Sequence, residues 1–374
     1  MTATTTRPNV GVQCISADSH ITEPPDAYAE IEPAFRDTAP FLKRDEDHGD
    51  FFVIPGMENP VPMGLVAAAG KAPEEITMFG VGFDQLHRSG WDPTARPADQ
   101  DRDGVAGEIL YPTVGMVLCS HPDLDYRQAA MRAYNRWIEG YCDAAPDRLF
   151  GIGQTAMRTP DDGIADLEAI KAAGLYGVMM PGVPGVEDYD SPIYDPFYEA
   201  AADLGLPLTF HILTGPSGRV RGPRINGFLS IVRGCQDVMG MFVFSGVFER
   251  HPSLKVVCAE ADAGWVPHYL YRMDHAYKRH RNWMSHGDIS LLPSEYFQRN
   301  IWVTFQDDWV AFRLVDLMDH RHLMWANDFP HSDATWPWSQ EVLVEHTAHL
   351  TDEQRTRILR DNVVELYGLP VKGD

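Results

Sequence analysis

Residues 12–20, VQCISADSH, decide how this chain folds. Val12–Asp18 is a β-rich run that leads out through Ala17-Asp18-Ser19-His20, with no glycine. A doubly wound open sheet normally carries a glycine-rich phosphate loop at this point, because only glycine lets the backbone approach a pyrophosphate closely. A barrel strand needs no such loop and presents its side chains at the C-terminal end instead. A Gly151-x-Gly153-x-x-Ala156 run does occur, but its glycines begin a strand rather than follow one, so it reads as a structural turn.

Seven more β-rich runs follow: Gly107–Tyr111, Leu149–Ala156, Tyr176–Pro181, Leu206–His211, Lys255–Glu260, Ile301–Phe305 and His322–Asp328. Between the later ones, Asp162–Ala173, Pro196–Gly205 and Trp265–Trp283 place apolar residues at helical spacing. Leu149, Leu175 and Leu206 each follow a Pro or Gly signal of the kind that ends helices. Eight strands separated by helices predict an α/β chain of the (β/α)8 TIM-barrel kind. Residues 21–103 break the alternation and are rich in Pro, Gly and charge. They read as a long insertion between strand 1 and strand 2 that covers the barrel mouth, since loops after strands lie on the catalytic face. On this reading residues 1–374 form a single domain, without internal repeats or low-complexity tracts.

Composition narrows the function classes. Of 374 residues, 44% are hydrophobic and 11% aromatic, enough for a large core, which excludes global disorder. The net charge of −23 repels phosphate backbones and anionic headgroups, so neither nucleic acid nor a membrane surface is an expected partner. MTATTTRPNV lacks the apolar core of a secretory signal, and the longest apolar stretch, around Met239–Phe248, is interrupted by Gly240, Ser245 and Gly246. Five scattered cysteines without a Cys-x-x-Cys suit reduced thiols and a cytoplasmic location.

Barrel chemistry sits at the C-terminal ends of the strands. Strand 1 ends in Asp18 and His20, strand 5 in His211, strand 6 in Glu260 and strand 8 in Asp328. Residues two apart on a strand share a side, so Asp18 and His20 can converge. Taken singly, each has an ordinary explanation: a hydrogen-bonded core pair, a satisfied buried histidine, a helix cap. Taken together at the strand ends, imidazoles and carboxylates form a donor set for a divalent transition metal, Mn, Fe or Zn, as one or two ions.

At these residues the sequence resembles the amidohydrolase superfamily, and within it the amidohydrolase-related branch that includes aminocarboxymuconate-semialdehyde decarboxylase. The resemblance is carried by ISADSHITEPPDAY, LTFHI, HPSLKVVCAEADAGWVPHYLYRMDHAYKRH and LMWANDFPHSDATWP. It implies a metal-dependent TIM barrel in which Asp18, His20, His211 and Asp328 are the ligands. The family's decarboxylases have a catalytic histidine at the end of strand 6, where this chain has Glu260. A carboxylate there cannot act as an imidazolium donor, but it can bind or bridge cations. His275 on the next helix, or His331 just past Asp328, would complete a second metal site. The branch also includes dinuclear Fe or Mn/Fe enzymes that hydroxylate with oxygen.

Further residues carry weaker signals. Arg219, Arg221 and Arg224 follow His211 in a Gly/Pro-rich loop that would receive a substrate carboxylate, or else form a solvated loop or a subunit contact. Trp336 and Trp338 follow strand 8 and would wall the pocket, whereas Cys119 and His121 read as a structural loop rather than a nucleophilic pair. No Gly-x-Ser-x-Gly elbow precedes a helix. The leading expectation is a metal-dependent enzyme acting by decarboxylation or hydrolysis on a small organic, carboxylate-bearing substrate. Glu260 would be base or ligand and His331 an orienting group; Arg219, Arg221 and Trp336 would meet the substrate. The alternatives are a dinuclear oxygenase with Glu260 and His275 on the second ion, and a catalytically silent partner subunit. Apolar helices after strands 5 and 6 predict a homo-oligomer, or a hetero-oligomer with a related barrel.

Overall fold

A computed structural model describes residues 8–216 and 218–371. Eight barrel strands run in sequence order, every neighbouring pair parallel. They are β1 Cys14–His20, β2 Val105–Tyr111, β3 Leu149–Gln154, β4 Gly177–Met179, β5 Leu208–His211, β6 Val256–Ala259, β7 Ile301–Phe305 and β8 Leu323–Trp325. The expected TIM barrel is therefore the observed fold. Strands such as β6, Val-Val-Cys-Ala, are buried along their whole length, as parallel strands covered on both faces must be.

The main helices are α1 Arg96–Asp103, α2 Leu124–Cys142, α3 Pro160–Ala172, α4 Asp195–Leu204, α5 Arg233–Phe244, α6 Val266–His280, α7 Pro293–Asn300, α8 Ser339–His346 and α9 Asn362–Tyr367. Their ends follow local chemistry. The Asp123 side chain accepts the backbone N–H groups of Asp125 and Tyr126 to start α2, and Thr159 accepts that of Asp162 to start α3. Gly205, at φ 66°, ends α4 in a left-handed turn that a side chain would disfavour.

The seam between first and last strands is closed at the catalytic rim. Asp328 N–H donates to the Asp18 carbonyl at 3.0 Å, and His20 N–H donates to the Phe329 carbonyl at 2.7 Å. Arg96 reinforces that seam from beneath. Fully buried on α1, it pairs with Glu108 of β2 at 2.6 Å and donates to the carbonyls of His20 (2.8 Å) and Phe329 (3.2 Å).

Of the strand ends that differ from the sequence expectation, two bear on the site. β6 stops at Ala259 and β8 at Trp325, so Glu260 and Asp328 lie in the turns beyond. Both adopt positive φ, 51° and 53°, which no strand residue can hold. The segment 21–103 contains a small antiparallel sheet (Phe41–Lys43, Phe51–Val53, Val61–Pro62), several short turns and α1. It packs against the loops after β2 and β8: the Pro55 carbonyl meets His121, and Ala69 N–H donates to the Pro330 carbonyl. All five cysteines are free and buried.

Candidate metal centre

Asp18, His20, His211, Glu260 and Asp328 come from four strand ends, and the structure brings their donor atoms together. His20 Nε2 lies 3.4 Å from Asp18 Oδ1, 3.4 Å from Glu260 Oε2 and 3.5 Å from Asp328 Oδ1. His211 Nε2 lies 2.9 Å from Glu260 Oε2 and 3.6 Å from Asp18 Oδ1. These atoms form two overlapping groups: Asp18, His20, His211 and Glu260, and His20, Glu260, Asp328 and His331.

The imidazoles are aimed by backbone carbonyls. His20 Nδ1 faces the Pro112 carbonyl at 3.2 Å and His211 Nδ1 that of Ile212 at 2.9 Å. A proton on each Nδ1 leaves each Nε2 lone pair pointing into the cluster, the tautomer a metal ligand needs. The Thr304 hydroxyl of β7 donates to Asp18 Oδ2 at 3.0 Å and accepts the Glu260 backbone N–H at 2.7 Å. One hydroxyl thus fixes two of the acids, including one in a strained conformation.

Whether the residues fit a cation is decided by their unmet valences. Asp18 Oδ1, His20 Nε2, His211 Nε2, Glu260 Oε2 and both Asp328 carboxyl oxygens are buried without a hydrogen-bond partner. Each such group costs on the order of 1–3 kcal/mol when neutral and more when charged. A buried set of convergent, unsatisfied donors with nitrogen and oxygen ligands fits a divalent transition metal.

The electrostatics agree. Burial works against charge on His20 and His211, but the carboxylates of Asp18 and Glu260 outweigh it and raise both above the ordinary histidine range. Burial opposes ionisation of Asp18 and Glu260 as well, yet the adjacent imidazoles hold both carboxyls below their usual range. Asp328 goes the other way: burial, then the charges of Glu260 and Asp18, push its carboxyl well up.

His331 stands at the edge, its side chain 12% exposed and its ring stacked on His20 at 3.9 Å. Burial, then the nearby charge of His20, keeps it neutral. Thr113 Oγ1 lies 2.7 Å from the Ile21 carbonyl and 2.9 Å from His331 Nε2. Its single hydrogen goes to the carbonyl, so His331 donates from Nε2 and offers the Nδ1 lone pair to Asp328 Oδ1, 3.1 Å away.

Other candidates lie elsewhere. His275 is half-buried on α6, with its ring 5.8 Å from that of Tyr271, and belongs to neither donor group. Arg219 and Arg221 lie exposed in the loop after β5. Trp336 is buried between the loop after β8 and the segment 21–103: it donates to the Asp99 carbonyl and packs on His87 and Phe329. The Cys119 thiol is pushed up to about 12 by burial, and His121 bonds backbone carbonyls, so the two form no nucleophilic pair. Sequence reasoning missed Thr304, Thr113 and Arg96. Only Thr304 gave a signal, being a polar residue in the last two positions of the apolar run Ile301–Phe305.

Fold and strand-end donor set together define a metal-dependent (β/α)8 barrel enzyme. The chain belongs to the amidohydrolase family, whose profile matches residues 18–369. It is 25% identical over 306 residues to 2-amino-3-carboxymuconate-6-semialdehyde decarboxylase of Dictyostelium discoideum, covering 79% of this chain and 82% of that relative. An amidohydrolase from Mycobacterium avium subsp. paratuberculosis K-10 superposes with a TM-score of 0.76 at 19% identity, over 97% of this chain and 99% of that one. The 5-carboxyvanillate decarboxylase of Novosphingobium aromaticivorans, complexed with manganese and 4-hydroxy-3-methoxy-5-nitrobenzoic acid, gives 0.70 at 19% identity, over 96% and 97%.

Proposed function

We propose that this protein is a metal-dependent lyase that decarboxylates a small organic carboxylate, with hydrolysis of such a substrate as the nearest alternative. The observation that carries the reading is the set of buried, convergent donor atoms at the ends of β1, β5, β6 and β8 that lack a hydrogen-bond partner within the protein. Two of the relatives are named as decarboxylases of carboxylated substrates, and one of them is complexed with manganese. The relatives favour neither the oxygenase nor the silent-subunit reading.

Asp18, His20, His211 and Glu260 would hold the ion, with Asp328 beside them as a further ligand. When bound, a divalent ion supplies a Lewis acid that polarises a substrate oxygen or acidifies water. The protein's own groups divide the remaining work. Glu260, kept ionised, is equipped to accept a proton and not to donate one. His331, with Nδ1 3.1 Å from Asp328 Oδ1 and its ring edge partly exposed, is placed to pass a proton between the site and solvent.

Purified protein should carry near-stoichiometric transition metal by elemental mass spectrometry, and His211→Ala should lose both metal and activity. Fully active metal-free protein would contradict the assignment. The same measurement counts the ions, since the two donor groups share His20 and Glu260 and allow one ion or a bridged pair.

A further inference from the structure

A second polar cleft lies at the end of the barrel opposite the metal centre. Lys255 immediately precedes β6, Trp302 is the second residue of β7 and His322 immediately precedes β8, so all three stand where these strands begin. Lys255 and Glu260 bracket β6 five positions apart (260 minus 255), about 16 Å along the strand. Arg299 of α7 and Asn362 of α9 close the same cleft, a cavity of about 760 Å³. Barrel chemistry belongs to the other rim, so this cleft is not part of the metal centre.

Its charge runs against that of the chain. Lys255, Arg299, Arg321 and Arg357 line it, against three carboxylates, Glu295, Asp319 and Glu365. Those acids are already engaged. Arg321 pairs with Asp319 and Arg357 with Glu365, both at 2.6 Å, while Glu295 accepts the Leu292 N–H at 2.7 Å. Among the described residues neither Lys255 nor Arg299 has a carboxylate partner. Lys255 Nζ donates to the Leu366 carbonyl at 3.4 Å, and Arg299 donates to Asn300 Oδ1 and the Phe248 carbonyl. Two uncompensated cations therefore line one cleft of a chain whose net charge is −23.

Asn362, only 2% exposed, adds an independent mark. Its amide nitrogen donates to the carbonyls of His320 (2.7 Å) and Leu323 (2.8 Å), which fixes the orientation of the amide and leaves Oδ1 buried without a partner. Buried acceptors are almost always paired, so an orphan in a cavity wall calls for a donor on whatever fills the cavity. We propose that this cleft binds a phosphoryl group, as free phosphate or on a small organic phosphomonoester. Its oxygens are held by Lys255 and Arg299, and the hydroxyl it keeps in part near neutral pH, with a second pKa of about 6, donates to Asn362 Oδ1. Carboxylate and sulfate bring acceptors alone and leave Asn362 unsatisfied. An organic substituent would lie against the half-buried Trp302, whose ring centroid is 4.3 Å from that of His322.

Calorimetric titration of the full metal-loaded chain at low ionic strength tests this, with inorganic phosphate, phenyl phosphate and sulfate as probes. Phosphate should bind saturably at one site per chain, and sulfate should bind about tenfold more weakly or worse, because it cannot supply the hydrogen bond. Phenyl phosphate binding more tightly than inorganic phosphate would make an organic ester the ligand, and equal affinity would make it free phosphate. Lys255→Met should weaken phosphate by about tenfold with unchanged circular dichroism and metal content. His211→Ala, which strips the opposite rim, should bind phosphate like the wild type. No saturable binding, sulfate as tight as phosphate, an unaffected Lys255→Met, or binding lost in His211→Ala would each overturn the proposal. Metal content is read separately, so that failure would leave the metal assignment untouched.

Discussion

Thr304→Val is the sharpest test of how the metal centre is built. The substitution keeps the shape of the side chain and removes one hydroxyl, which donates to Asp18 Oδ2 and accepts the N–H of Glu260. Glu260 sits at φ 51°, a conformation that costs a non-glycine residue on the order of 1–3 kcal/mol and persists only while its surroundings enforce it. Loss of the hydroxyl leaves a buried N–H unpaired, worth about 1–3 kcal/mol in the metal-free protein. It also frees two carboxylates to turn. Removing an outer partner of metal ligands typically lowers metal affinity about 10–100-fold. Calorimetric titration with Mn2+ should therefore show weaker binding by about 1.4–2.7 kcal/mol, and urea unfolding a lower midpoint. Thr304→Ser, which restores the hydroxyl, should recover most of both. If Thr304→Val binds Mn2+ and unfolds like the wild type, the orienting role assigned to this hydroxyl is wrong.

Other consequences are as direct. Because the carboxylates raise His20 and His211 above 6.5 in the metal-free protein, an incoming ion must displace protons. Mn2+ affinity should then rise with pH, and titrations in buffers of different ionisation heat should report proton release. The sign for stability is opposite. The imidazolium–carboxylate contacts stabilise the metal-free protein below the unfolded histidine pKa of 6.5, and that contribution fades as pH climbs through the raised folded values. Urea midpoints that rise from neutral to alkaline pH in the metal-free protein would sink this account. Arg96→Met should destabilise by about 3–5 kcal/mol, because it strands Glu108 as a buried unpaired charge. Chemical denaturation checks that value, and Mn2+ affinity should fall alongside it as the carbonyls of His20 and Phe329 lose their clamp.

The barrel was legible because its physics repeats. Strands buried on both faces read as short apolar runs, and the helices between them carry a 3.6-residue period. The donor set was legible for the same reason, since a closed barrel gathers the ends of its strands at one rim. His275 shows where that reasoning stops. It sits nine residues into α6, about 14 Å along an axis that leads away from that rim, so nearness in sequence to Glu260 brought it no nearer in space. Thr113 and Arg96 were hidden for a different reason. A hydroxyl or guanidinium acting through hydrogen bonds to distant backbone leaves no spacing to recognise. The positive φ of Glu260 and Asp328 was hidden too, since neither residue type announces a left-handed turn.

The seam between β1 and β8 has a consequence for biosynthesis. His20 and Asp328, 308 positions apart (328 minus 20), sit on opposite banks of the join, so any ion they share acts as a rivet across it. Asp18, His20, His211 and Glu260 are all synthesised by the sixth strand, whereas Asp328 and His331 join the cluster only once the last barrel strand has left the ribosome. A chain that ends before β8 therefore lacks the second donor group and leaves the barrel seam open.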